Sequence, residues 1–327
     1  MKILVTGGDG QLGANLVRVL IDRGHVVRTL VKPGHKAVAL RGVPAEIVIG
    51  DVLDRTDMQF AVHGCDAVVH AAAMVRWWPR RSKTVDSANV EGTRNVVDAA
   101  ERNEVERFIY VGSASSFRPG PLDHPAGEGA PECCDSRAPE YIRSKLTAQR
   151  IVMDEVRERR LPGIVVNPTF MIGPYGSLDG SSSLLLRLYR RQLRWIPPGG
   201  RNFVHTGDVA VGIEHALTKG LIGECYILGH ENLPYSEAFR KICRVLRIPP
   251  PRGRISRPLM KTAGLLGSAV SLACARRPDL TPTMAEMTCR DCYYDPRKAM
   301  KELDMPQHPI EEAVEDAWRW FRSLGVA

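Results

Sequence analysis

The 327-residue sequence lacks the features that would place it in several large classes. No apolar run is long enough to span a bilayer: the greasiest stretch, 259–275, is too short and is interrupted by Lys261. No apolar leader precedes the strand-like "ILVTG", so a cytoplasmic setting is expected, with the eight cysteines as free thiols. Cys289 and Cys292 form one Cys-x-x-Cys and Cys133 adjoins Cys134, but a second Cys-x-x-Cys is missing, which argues against a metal site. Repeats and low-complexity tracts are absent. Neither sign of charge dominates: 45 Lys and Arg stand against 37 Asp and Glu, for a net +8. The basic residues are scattered, apart from knots at Arg80-Arg81, Arg159-Arg160, Arg190-Arg191 and Arg276-Arg277. That pattern reads as a solvated surface; attraction to a phosphorylated cofactor, an acidic substrate or an anionic membrane is the sharper reading. Neither nucleic acid nor integral membrane insertion is expected.

What remains is an ordinary globular composition, 44% hydrophobic and 25% charged, enough for a sizeable core. Short apolar runs alternate with helical patterns through the first half: "KILVTG", "HVVRTLVK", "AEIVIGD", "AVVHAAA", "RFIYVGSAS" and "GIVVNPTFMIG". This rhythm predicts an α/β fold with a doubly wound parallel sheet. Residues 1–170 are expected to form a dinucleotide-binding Rossmann domain, with 203–229 returning to it. A smaller, mostly helical substrate lobe is expected over 171–202 and 230–327. The stretch 259–275 reads as a buried helix of that lobe; the alternatives are a lid over an apolar substrate or a helix lying on a membrane surface.

"VTGGDGQLGANL" follows the first strand and opens a helix, the context a phosphate-binding loop needs. Gly8, Gly10 and Gly13 fit one spacing, and Gly7, Gly10 and Gly13 fit a wider one; Gln11, Leu12 and Gly13 begin the helix. A further absence bears on the cofactor. Strand 2 ends with Val31 where an NAD enzyme of this build usually has an acid. Lys32 and Lys36 follow, so NADP(H) is favoured and NAD(H) is the alternative; Arg28 either assists or faces solvent. Asp51 is a candidate for the adenine amino group and otherwise a helix cap, and Val52 for the ring wall. Ala71, Ala72 and Ala73 are small enough to pass close to the cofactor.

Tyr141 and Lys145 lie one helical turn apart. An ammonium beside a phenol, with an oxidised nicotinamide, brings the phenol into a useful range. Ser113 ends strand 5, where its hydroxyl could hold a carbonyl oxygen; Ser115 and Ser116 are fallbacks. Asn89 could bond a backbone carbonyl and hold a water for proton relay, or be structural. Trp77 and Trp78 either contact substrate or anchor their loop.

Taken together, "TGGDGQLG", "GDVLD", "HAAA", "NVEGT", "VGSAS", "YIRSK", "NPTFMIGP" and "FVHTGDVA" resemble the extended short-chain dehydrogenase/reductase family, of the NAD-dependent epimerase/dehydratase type, in its dihydroflavonol-reductase-like branch. The resemblance selects the wider glycine pattern. It implies a Ser113-Tyr141-Lys145 centre, Lys145 on the nicotinamide ribose, and Pro168 and Thr169 beside the nicotinamide, with Phe170 next to the substrate. Gly112 replaces a hydroxyl residue common in relatives, which leaves Ser113 with less support. The first functional reading is reduction of a ketone or aldehyde on a largely apolar small molecule. The second is a nucleotide-sugar epimerase or dehydratase with retained NAD, in which Arg187, Arg190, Arg191 and Arg194 grip a diphosphate. A third is a nucleotide sensor without turnover. Relatives often pair through sheet-domain helices, so a homodimer is possible.

Overall fold

The computed structural model describes residues 1–75, 83–133, 138–178, 180–274 and 280–327; the side chains of Lys83 and of 268–274 are outside that description. Trp77, Trp78 and Cys134 therefore lie outside the described residues. In chain order the first elements are β1 (Lys2–Thr6), α1 (Gln11–Asp22), β2 (Val26–Val31), β3 (Glu46–Ile49), α2 (Arg55–Val62), β4 (Ala67–His70), α3 (Lys83–Asp86), α4 (Gly92–Arg102), β5 (Arg107–Val111), α5 (Glu140–Arg157) and β6 (Gly163–Pro168). Next come β7 (Phe170–Ile172), α6 (Ser183–Tyr189), β8 (Trp195–Ile196), β9 (Gly200–His205), α7 (Thr206–Lys219), β10 (Cys225–Leu228) and β11 (Glu231–Pro234). The chain closes with α8 (Tyr235–Val245), β12 (Gly253–Arg254), α9 (Arg257–Cys274), α10 (Pro282–Thr288), β13 (Asp291–Cys292), α11 (Arg297–Glu302) and α12 (Ile310–Ser323).

Seven strands form one parallel sheet in the order β10-β6-β5-β4-β1-β2-β3. The apolar runs of the inner strands are buried on both faces, as parallel strands require, while the edge strand β3 leaves Ile47 and Ile49 exposed. Leu16, Val17 and Leu20 of α1 pack with Ile213 and Leu217 of α7 on one face. Met58 of α2, Val96 and Val97 of α4, and Val152 of α5 pack on the other. The winding reverses between β1 and β4, so their carboxyl ends open a crevice at the switch point.

The remaining strands build smaller sheets. β9 pairs with β7, β11 and β13, and α8 and α12 cover an apolar cluster beside it. Residues 203–205 thus belong to β9 in this second sheet, and the chain rejoins the main sheet through α7 and β10.

Two readings of the sequence need correcting. Arg28 neither serves a cofactor nor faces solvent. It is 8% exposed and donates to Ala61 O and His63 O, each at 2.8 Å, and to Glu46 Oε1 at 2.9 Å. Its charge sits on the unpaired carbonyls at the carboxyl end of α2, where the helix dipole is negative. Over its described side chains, 259–267, the stretch is not buried as expected: α9 leaves Leu259, Leu265 and Leu266 exposed. Among the described residues, no helix is long and apolar enough to cross a membrane.

Arg28→Met should therefore cost about 2 kcal/mol of unfolding free energy, the scale of a few charge-assisted hydrogen bonds lost around buried carbonyls. Urea unfolding measures the loss. Nucleotide affinity in the folded variant should stay within about twofold, since the guanidinium points at α2 and not at the crevice.

Candidate active site at the carboxyl edge of the sheet

A cavity of about 2460 Å³ runs along the carboxyl edge, lined at one end by the glycine loop and at the other by α6 and α10. Gly7 has φ +72°, and a Cβ there would lie 2.8 Å from Ala72 Cα. A Cβ on Gly13 would lie 2.2 Å from Gly7 O. The backbone of β1's exit thus touches the backbone of β4's exit directly, and α1 starts tight against both. The amino end of α1 has no acidic residue in its first turn, and its cap, Gly10, makes no side-chain hydrogen bond. This cradle fits a dinucleotide phosphate: close backbone, amide donors and a positive helix end.

The side chain of Gln11 is committed elsewhere. Its Nε2 donates to Ser182 Oγ at 2.8 Å, Thr206 Oγ1 at 3.0 Å and Gly173 O at 3.2 Å. It ties the loop to the segment crossing over from β7. Leu12 is 8% exposed and lines the cavity with Gly10 and Gly13. Lys36 also lines it. Lys32 and Asp51, expected to meet different parts of a cofactor, instead meet each other at 3.0 Å. Asp51 Oδ1 also accepts Leu53 N at 3.1 Å. Burial pushes the Asp51 carboxyl up, but the Leu53 amide and Lys32 outweigh it and hold it low. Val52 packs against Gly92, where a Cβ would lie 2.8 Å from Val52 Cγ2. Ala71 and Ala73 line the cavity, while Ala72 N donates to Thr6 Oγ1 at 3.1 Å.

Ser113, Tyr141 and Lys145 all line this cavity. The Ser113 side chain interacts with the Tyr141 phenol and works to lower its pKa. Burial lifts the Tyr141 phenol above its ordinary range against the lowering effect of Ser113. Lys145, 3% exposed, donates from Nζ to Val111 O at 2.5 Å and sits 4.4 Å from the Tyr110 ring centroid. Burial pulls its pKa down to about 7. Burial thus drives both groups toward their neutral forms. Ser113 also accepts Ser115 N at 3.3 Å, and Ser115 faces the same cavity.

Support for Ser113 comes from a residue the sequence reading passed over. Asn167 Oδ1 accepts Ser113 N at 3.0 Å. A Cβ on Gly112 would lie 2.3 Å from that oxygen. Glycine at 112 therefore makes room for the carboxamide that holds Ser113, rather than leaving Ser113 poorer. Asn167 was legible only as one letter of "VNPTF", because its partner is 54 positions away.

Asn89 sits in a π-helical turn, Ser87–Glu91, between α3 and α4. Its Oδ1 accepts Met74 N at 2.7 Å, and its Nδ2 donates to Met74 O at 3.1 Å and to Ser144 Oγ at 2.9 Å. Ser144 Oγ in turn donates to Tyr141 O at 3.0 Å. The expected bond to a backbone carbonyl is present, and it pins the loop after β4 to the helix bearing Tyr141. Asn89 itself is not among the cavity-lining residues.

His70 was not a candidate, yet it anchors this region. Thr93 Oγ1 donates to Asn89 O at 2.6 Å, so it accepts from His70 Nε2 at 3.0 Å. His70 Nδ1 then accepts from Thr6 Oγ1 at 2.8 Å. Burial, with Lys145's charge adding to it, lowers the His70 pKa to about 3, so the ring is neutral.

Pro168, Thr169 and Phe170 line the cavity. The Thr169 hydroxyl is spent on Asn202 Oδ1 at 2.8 Å. Phe170 meets Phe203 edge to face, with ring centroids 5.4 Å apart. Arg187, Arg190, Arg191 and Arg194 also line the cavity, and Arg190 donates to Val326 O at 2.9 Å. Among the described residues, no cluster of three or more metal-ligating side chains is found.

Gly112→Ala should destabilise the chain by about 2 kcal/mol through overlap with the Asn167 carboxamide. In an Asn167→Gly background the same change should cost less than about 0.5 kcal/mol. A double-mutant cycle by urea unfolding reads this directly; equal costs in both backgrounds would show that the two residues do not share that space.

The model of the NAD dependent epimerase/dehydratase family matches residues 3–229. A putative dihydroflavonol 4-reductase of Synechocystis sp. is 30% identical over 326 residues, covering 98% of this chain and 94% of that protein. A 2-alkyl-3-oxoalkanoate reductase of Stenotrophomonas maltophilia is 28% identical over 334 residues, covering 96% and 97%. The crystal structure of gox2253 superposes with a TM-score of 0.86 at 32% identity, covering 99% of this chain and 98% of that one. The glycine cradle, the parallel sheet and these relatives agree: the chain belongs to the NAD dependent epimerase/dehydratase family, of extended short-chain dehydrogenase/reductase type, and is an oxidoreductase or epimerase.

Proposed function

We propose that this enzyme reduces a ketone or aldehyde on a largely apolar small molecule, with NADP(H) as cofactor. The observation that carries the proposal is that Ser113, Tyr141 and Lys145 line the same cavity as the glycine cradle. Two relatives have names of reductases, which supports the direction. When bound, the dinucleotide supplies hydride to the carbonyl carbon. Gly7, Gly10 and Gly13 would hold its pyrophosphate, and Lys36, with Lys32 released from Asp51, would hold a 2′-phosphate. Pro168 and Thr169 would flank its nicotinamide and Lys145 its ribose.

The residues of the chain do the rest. Ser113, fixed by Asn167, donates to the carbonyl oxygen and orients it. Tyr141 keeps its proton at neutral pH because burial raises its pKa, so it is in the form that gives a proton to a developing alkoxide. Phe170, Leu184, Met284 and Met287 offer an apolar wall for the substrate. Asn89 acts as a positioning residue, holding the loop after β4 against α5.

A second reading, epimerisation of a nucleotide sugar with retained NAD, draws on the four arginines of 187–194 that line the cavity. The nucleotide released on denaturing the purified enzyme separates the two readings: NAD held through purification favours the epimerase, and exchangeable NADP(H) the reductase.

Tyr141→Phe should lower kcat for NADPH-dependent reduction of aryl, steroidal or acyl ketones by at least about a thousandfold while NADPH affinity stays within about threefold. Steady-state kinetics and nucleotide fluorescence titration check this; retained turnover would remove Tyr141 as the acid.

Lys145 gives a pH prediction. Its folded pKa of about 7 lies below the ordinary lysine value of 10.5. Between those values the unfolded chain binds the proton and the folded chain does not, so this group's destabilisation is full below about pH 7 and fades as pH rises toward 10.5. The Tm of Lys145→Met minus that of the parent enzyme should be most positive near pH 6 and shrink steadily by pH 10, measured without cofactor.

A further inference from the structure

From 238 to 278 the chain has ten lysines and arginines and no acidic residue, flanked by Glu237 and Asp279. Helix α9 lies inside this stretch. Its inward side is made of Met260, Gly264 and Gly267, at helical spacing. A Cβ on Gly264 would lie 3.0 Å from Thr281 O and 2.9 Å from Ala285 Cβ, and one on Gly267 would lie 2.7 Å from Leu280 O. The glycines therefore fix which side of α9 meets α10, because no larger side chain fits there. That choice turns the leucines out. Leu259, Leu265 and Leu266 are 59%, 61% and 67% exposed.

The polar atoms beside these leucines suit an interface between water and lipid. The Thr262 hydroxyl donates its proton within the helix, to Pro258 O at 2.9 Å or Leu259 O at 3.0 Å. Arg257 and Lys261 of the same helix are exposed as well, as is Arg254, three residues before it. Among the described residues, Arg257 pairs with Asp291, at 3.8 Å. Exposed leucines on one helix with exposed cationic side chains match the boundary between acyl chains and anionic headgroups, into which lysine and arginine reach while their stems stay apolar.

We propose that α9 seats the enzyme on an anionic bilayer surface, with its leucines in the acyl boundary and its basic residues on the lipid phosphates. The partner of α9 explains the benefit. Thr283, Met284, Met287 and Thr288 of α10 line the cavity. A bilayer against α9 therefore lies one helix away from the apolar wall of the active site. The purpose of docking rests on the apolar-substrate reading; the docking itself does not.

The test is co-sedimentation of the full chain with vesicles of phosphatidylcholine alone or mixed with phosphatidylglycerol, without cofactor or substrate. Binding is expected only with phosphatidylglycerol and should be lost above about 0.5 M salt. The double variant Leu265→Glu/Leu266→Glu and the double variant Arg254→Glu/Lys261→Glu should each bind at least about tenfold more weakly, with Tm and NADPH affinity unchanged. Three results would overturn the proposal: no binding of the parent chain to the mixed vesicles, undiminished binding of the leucine variant, or a parent dimer that the leucine variant converts to monomer in sedimentation velocity. The last would assign the leucines to a second copy. Because no arm measures turnover, failure here and failure of the reductase reading are separable.

Discussion

The active cleft depends on one close approach of main chain to main chain. Gly7 leaves β1 against Ala72, and Gly13 starts α1 against Gly7. Neither contact leaves space for a side chain. The crevice at the switch point of the sheet exists because two loops can touch there without bulk, and the phosphate cradle, the cavity mouth and the position of α1 all follow from it. The neutral His70 ring locks the same region from beneath. Its two nitrogens join Thr6 on β1 to Thr93 on α4, and Thr93 reaches the π-helical turn that carries Asn89.

Burial is the main force on the chemistry. It raises Tyr141, lowers Lys145 and lowers His70. In each case desolvation disfavours the charged form. A phenol that stays protonated and an amine that gives up its proton near neutrality make an electrically quiet site. Such a site costs less to keep folded than a buried phenolate–ammonium pair, whose desolvation is expensive on both sides.

Much of this was legible in the amino-acid order. The alternation of apolar runs gave the parallel sheet, since strands buried on both faces leave a plain signature. The glycine spacing and the one-turn offset of Tyr141 and Lys145 are local patterns and survive in one dimension. What did not show were contacts across many positions. Asn167 supports Ser113 from the next strand, and Lys32 pairs with Asp51 across β2 and β3. Arg28 looked like a surface cation because nothing in its own strand announces the end of α2. The apolar stretch of α9 suggested burial, but hydrophobicity alone does not reveal which side of a helix has glycines pressed to a neighbour.

Gln11 adds a mechanical consequence. It stands at the first residue of α1, yet its carboxamide grips Gly173, Ser182 and Thr206, which lie on the chain between β7 and α7 or at the start of α7. The glycine loop is thus buttoned to the chain beyond β7 at the start of α1. A graft of the glycine loop into a foreign scaffold would inherit half of that fastening. Residues 173–182 would have to travel with it for the helix start to keep its aim.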